Sequence, residues 1–143
     1  MYSFNTKFTG TNAELISFKE FKLAIYSLKN AGLLSVEEIS GYEYPKNYYK
    51  AKVKDSSGSF SIYANCYTGE VGFGEITNNS RNFVERAELA QQLGKQYTVL
   101  GPDILASPVT ECCFSDLDAS VKKEVKNWLP ETIGGLLFCW YFD

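Results

Sequence analysis

The chain has 143 residues, 45% of them hydrophobic and 15% aromatic, with ten Phe, ten Tyr and two Trp, which excludes a disordered polymer and suits one domain. Seventeen acids against fourteen bases leave a formal charge of -3, a sign opposed to the counterion release on which dedicated nucleic-acid binders depend. Histidine is absent, which removes the usual general base, the commonest metal ligand and every His-dependent triad.

The opening MYSFNTKFTG carries one lysine and no apolar run, so it reads as neither a signal peptide nor an anchor. Thr11-Asn12-Ala13-Glu14 fits a capping box. Behind it Leu15, Phe18, Phe21, Ile25 and Leu28 recur at spacings of three and four, which predicts a helix from Asn12 to Ala31 closed by Gly32 in a left-handed cap. Lys19, Lys22 and Lys29 fall on its wet side.

The period then changes to two. Val36–Tyr44 reads as a strand ended by Pro45; Tyr49, Ala51 and Val53 alternate with Lys50, Lys52 and Lys54. The turn Asp55-Ser56-Ser57-Gly58-Ser59 leads into Phe60, Ile62, Ala64 and Cys66, a hairpin partner. Thr68-Gly69 turns the chain into Val71–Ile76, where Gly72 and Gly74 signal a bulge or a close backbone approach.

Asn78-Asn79-Ser80 offers caps for a second helix over Arg81–Lys95, with Phe83, Ala87, Ala90 and Leu93 inward. Gly101-Pro102 and Ser107-Pro108 cut the next stretch into short pieces, Thr98–Leu100 and Val109–Phe114, readable as edge strands. Ser115-Asp116-Leu117-Asp118 opens a third helix with the stripe Leu117, Val121, Val125 and Trp128. The apolar run Leu136–Phe142 reads as a strand covered on both faces. The fold class is therefore α+β: residues 1–143 form a single domain. Its antiparallel sheet comprises a meander over 36–76 and a C-terminal strand over 136–142, packed with about three helices.

No residue set recommends a catalytic role, a metal or a cofactor. The pairs Glu37/Glu38, Asp116/Asp118 and Glu85/Glu88 have structural readings in helix first turns or exposed faces. The four cysteines, Cys66, Cys112, Cys113 and Cys139, include no CxxC, and buried reduced thiols fit them better than a metal site or a nucleophile at Cys112 or Cys113. Together with the absence of any long apolar run, this points to a cytoplasmic protein with no membrane contact.

Charge is segregated along the chain. Glu37, Glu38 and Glu43 stand without a base between Asn30 and Pro45, punctuated by Tyr42 and Tyr44. Asp103, Glu111, Asp116 and Asp118 form a second such window. Acids mixed with tyrosine suit a surface that docks a basic protein partner. The row Lys46, Lys50, Lys52 and Lys54, interleaved with Tyr48 and Tyr49, is the best case for single-stranded nucleic acid, a weaker fit. A pocket lined by the many aromatics, binding a small ligand, is the alternative from another class.

From Phe21 to Ile76, the landmarks Ala31-Gly32, Tyr48-Tyr49 and Thr68-Gly69-Glu70-Val71 resemble a PepSY-type unit, a kind of module thought to restrain partner proteins such as proteases. Such units usually belong to exported or membrane proteins, a context this sequence does not announce. Taken whole, the chain is similar to the immunity proteins of bacterial toxin systems, including those of contact-dependent growth inhibition: small, acidic, cytosolic and without catalytic apparatus. That resemblance implies an inhibitor that masks a toxin, frequently a basic nuclease.

Overall fold

The computed structural model describes residues 2–5, 7–10, 13–43, 46–76, 81–110, 113, 117, 119 and 132–138. Helix α1 (Phe18–Asn30) buries Phe21, Ile25 and Leu28, three members of the expected stripe. Its C-terminus closes as expected at Gly32 (φ 76°), with the Gly32 amide donating to Lys29 and the Leu33 amide to Leu28, a Schellman pair. Its start differs from the expectation. Ser17, not Thr11, is the cap, its hydroxyl accepting from the Glu20 amide at 3.1 Å, so the operative box is Ser17-Phe18-Lys19-Glu20. The preceding chain is committed elsewhere: the Ile16 amide donates to Cys66 and the Ile16 carbonyl accepts from the Tyr49 hydroxyl. Leu15 consequently lies outside the helix, 45% exposed.

Strands β1 (Ser35–Ser40), β2 (Tyr48–Asp55), β3 (Gly58–Asn65) and β4 (Glu70–Ile76) form the antiparallel meander. The β2–β3 register places Asp55 opposite Gly58, and the Asp55 carboxylate accepts from the Ser57 amide within the turn. β1 stops at Ser40, short of the expected Tyr44, which with Pro45 lies outside the described residues.

Residues 81–83 are a strand and not the start of a helix. β5 (Arg81–Phe83) pairs with the second half of β4, and only Ala87–Leu93 is helical (α2). The glycines explain the difference. A Cβ at Gly74 would lie 2.1 Å from the Asn82 carbonyl oxygen, so β5 approaches where β4 has no side chain. Beyond α2, β6 (Thr98–Val99) pairs in parallel with the first half of β4, filling the rest of that edge.

The piece Val109–Phe114 is not a strand where described, since only Pro108 makes a bridge, to Thr132; the short helix α3 (Pro102–Leu105) precedes it. The C-terminal run is also corrected at its start. Ile133–Leu137 is a helix, α4, capped by Thr132, whose hydroxyl accepts from the Gly135 amide. A short apolar run carries no period, so burial alone did not separate strand from helix. The body of the expected third helix and residues 139–142 lie outside the described residues.

Period-two alternation divides the sheet's side chains between two cores. On one face α1 and α2 cover Tyr49, Ala51, Val53, Phe60, Ile62, Ala64, Val71 and Phe73. On the other, Phe4, Phe8, Leu105 and α4 cover Tyr48 and Tyr63, with the Phe138 ring stacked on Tyr63 at 5.6 Å. Two buried asparagines tie the second layer down. The Asn47 amide donates to the carbonyls of Phe8 and Leu136, and the Asn65 amide to those of Phe8 and Leu137, at 2.9 to 3.1 Å. They supply donors to carbonyls at the end of α4, where a helix runs out of its own.

Replacing Gly74 by Ala should cost about 3 kcal/mol, because backbone must move, whereas Gly72→Ala, whose Cβ would meet the side chains of Leu105 and Phe138, should cost about 1–2 kcal/mol. Urea unfolding of the two variants checks this order; equal losses would show that β5 does not depend on the approach at Gly74.

Candidate partner-binding surface

β4 is occupied on both edges, whereas β1 pairs with β2 only and leaves its other edge open among the described residues. A register shift between Val36 and Glu38 marks a bulge, and the register then sets Glu38 opposite Lys52 and Ser40 opposite Lys50. The chain after β1 is positioned by two ring contacts. A Cβ at Gly41 would stand 3.1 Å from the Phe18 ring, and Tyr42, 40% exposed, lies edge-on to Tyr67 with centroids 6.4 Å apart.

The pairing places the first acidic window against the lysine strand. Glu37 lies 4.0 Å from Lys52 and Glu43 3.3 Å from Lys46, while Glu38 makes no ion pair among the described residues. Exposed pairs of this kind contribute about 0–1 kcal/mol, so an arriving charge can displace them. Glu37 and Glu38 thus lie beside Lys52, Glu43 beside Lys46 at the entrance to β2, and Tyr42 turns towards Tyr67, so the acidic window is spread out and mixed in sign. Asp103, exposed on α3, sits elsewhere: α3 packs on β4, three strand positions from β1, or roughly 14 Å across the sheet. Tyr44, Glu111, Asp116 and Asp118 lie outside the described residues.

Lys46, Lys50 and Lys52 line a groove of about 210 Å³ with Glu38, Ser40, Gly41 and Tyr48. The neighbouring tyrosines are not a stacking platform. Tyr48 is 8% exposed, and Tyr49 faces the other core at 1%, its hydroxyl pushed up to about 12 by burial. Two further grooves, of about 370 and 230 Å³, open beside Arg86 and between α1 and α2. All three are open to solvent and near or below the lower bound of ordinary ligand pockets. In the groove beside Arg86, Glu85 and Glu88 flank its guanidinium, which is held by Asp55 at 2.8 Å and lies over the Phe60 ring.

Among the described residues no group of three His, Cys, Asp or Glu could hold a metal. Cys66 is fully buried, and burial pushes its thiol up to about 12, which makes it inert. Cys113 is also buried, 3.6 Å from the Thr110 hydroxyl; Cys112 and Cys139 lie outside the described residues. No helix among the described residues is long and apolar enough to cross a membrane.

One buried acid escaped the sequence reading. Glu70 begins β4 on the same side as Gly72 and Gly74, accepts from the Tyr2 hydroxyl at 2.5 Å, and leaves Oε1 without a partner among the described residues. The signal was present in its position, since a charged residue two places before an inward-facing glycine on a strand must also face inward. Burial pushes its carboxyl above the usual carboxylate range.

Comparison with protein-family models, with curated proteins and with solved structures finds no match to the chain. The fold itself is an α+β arrangement of an antiparallel meander and short helices.

Because the folded-state pKa of Glu70 exceeds the unfolded value, the wild type holds its full stability below the unfolded pKa and loses part of it as pH rises towards the folded pKa. Glu70→Gln should remove this loss. Its stability relative to wild type should rise between pH 4 and pH 8 in urea unfolding, and a difference independent of pH would refute the assignment.

Proposed function

We propose that this chain is a protein-binding inhibitor of the toxin-immunity kind. It acts in the cytoplasm by covering the active site or substrate surface of a cognate toxin. The observation that carries the reading is the edge of β1 that stays open among the described residues, backed by the core under α1 and bordered by Glu37 and Glu38, with Glu43 beside Lys46 at the entrance to β2. A rigid scaffold of this kind presents its edge without an ordering cost, and preorganisation favours tight association. Backbone donors and acceptors along the edge supply directional contacts. The glutamates steer a basic partner towards it, and Tyr42 supplies contact area of low conformational entropy.

The small-ligand reading draws less support, because the three grooves are shallow and lack the enclosure that buries a ligand's surface. A nucleic-acid reading draws less again, since the tyrosines beside the lysine row are buried.

The test is association kinetics with the toxin domain encoded by the adjoining reading frame, followed at two salt concentrations. The double variant Glu37→Lys/Glu38→Lys should slow association by roughly tenfold and flatten its salt dependence. An unchanged on-rate removes β1 as the docking edge, and an inability of the wild type to bind that domain removes the inhibitor reading.

A further inference from the structure

The groove beside β1 has two chemically different ends. At one end Ser40 stands opposite Lys50, with Lys46 completing the wall; at the other Glu38 stands opposite Lys52. The Lys50 ammonium lies 5.7 Å from the Tyr63 ring centroid and makes no ion pair among the described residues. Lys46 lies over the Tyr48 ring and is paired outward with Glu43. The Ser40 end therefore offers a hydroxyl and the Lys50 ammonium, with Lys46 already held by Glu43, which suits a carboxylate. The Glu38 end offers an unpaired acid beside Lys52, which suits a base.

Glu38 and Ser40 are two residues apart on one strand, so the two ends are separated by about 7 Å. A strand laid beside β1 repeats that spacing. We propose that the occupant of this edge is an extended segment of a protein partner carrying an acidic residue and, two positions along, a basic one. The acidic side chain reaches Lys50 and Ser40, and the basic one reaches Glu38. This rests on the reading of β1 as a protein-docking edge and adds the chemistry of the docked strand.

Two competing occupants fit less well. Antiparallel self-pairing of β1 centred on its two glutamates would set Glu37 of one copy opposite Glu38 of the other, a like-charge contact that disfavours a second copy. A nucleic acid would bring a row of phosphates past Glu37, Glu38 and Glu43, and the rings of Tyr48 and Tyr63 are too buried to stack on bases.

The experiment titrates the isotopically labelled chain with a short β-forming peptide containing Asp-Thr-Lys, with its Lys-Thr-Lys and Asp-Thr-Asp counterparts, and with oligothymidylate. The Asp-Thr-Lys peptide should shift the amide signals of β1 and of Lys50, and bind roughly tenfold more tightly than either counterpart. Lys50→Gln, which removes the charge and keeps a polar side chain, should weaken that binding by about the same factor, while Lys19→Gln on α1 should leave it unchanged.

Equal binding of all three peptides, equal loss in the Lys19 variant, or tighter binding of oligothymidylate at the same residues would overturn the proposal. The two readings fail separately. A toxin domain whose binding responds to Glu37→Lys/Glu38→Lys but not to Lys50→Gln sinks the strand chemistry alone. Peptide binding at β1 without toxin binding sinks the inhibitor reading alone.

Discussion

Two buried carboxamides hold the layers of this protein together. Asn47, at the entrance to β2, and Asn65, at the end of β3, both donate to the Phe8 carbonyl, and each also donates to a carbonyl at the end of α4. Asn65 accepts in addition from the amides of Tyr67 and Thr68, which shapes the turn into β4. An N-terminal segment, a C-terminal helix and a hairpin that are far apart in sequence thus meet at two side chains. A buried backbone oxygen left without a donor costs about 1–3 kcal/mol, which sets the scale of what these bonds protect.

The position of this clamp decides which part of the sheet stays open. It secures the second layer over Tyr48, Tyr63 and Gly72, while Lys52 and Lys54 on the same face of β2 remain exposed. On the other side β4 is closed by β5 and β6. The open edge and the mixed-charge groove consequently coincide at β1, backed by a region with little freedom to rearrange. The same packing buries Glu70 beside Tyr2, placing a carboxyl that burial holds above the usual carboxylate range in the covered layer and away from the open edge.

Local signals carried most of the meander. Gly32 as a helix stop, the alternation of Tyr49, Ala51 and Val53 with three lysines, and the Asp55–Gly58 turn are each determined within a few residues, and each stands as read. The failures share a different cause. Phe83 has helical spacing to Ala87 and Ala90, but its chain segment pairs with β4 because Gly74 leaves room for it, a tertiary fact. Leu136 and Leu137 belong to an aperiodic apolar run whose conformation is set by the Thr132 cap and the asparagine clamp.

The candidate surface was half legible for the same reason. The acids of β1 and the lysines of β2 were visible as separate windows, and the acidic window alone suggested a surface of one sign. Their juxtaposition depends on the strand register and on the bulge after Val36, which no window of sequence reveals. Asp103 shows the converse: belonging to a second acidic window did not bring it near the first.

Side-chain amide hydrogen exchange tests the clamp most directly. The Nδ2 protons of Asn47 and Asn65 should exchange as slowly as the backbone amides at the centre of β3, because only opening of the layered core releases them. Exchange at the rate of solvent-exposed asparagines, with the β3 amides still protected, would contradict the account, since the layers would then be joined by some other contact.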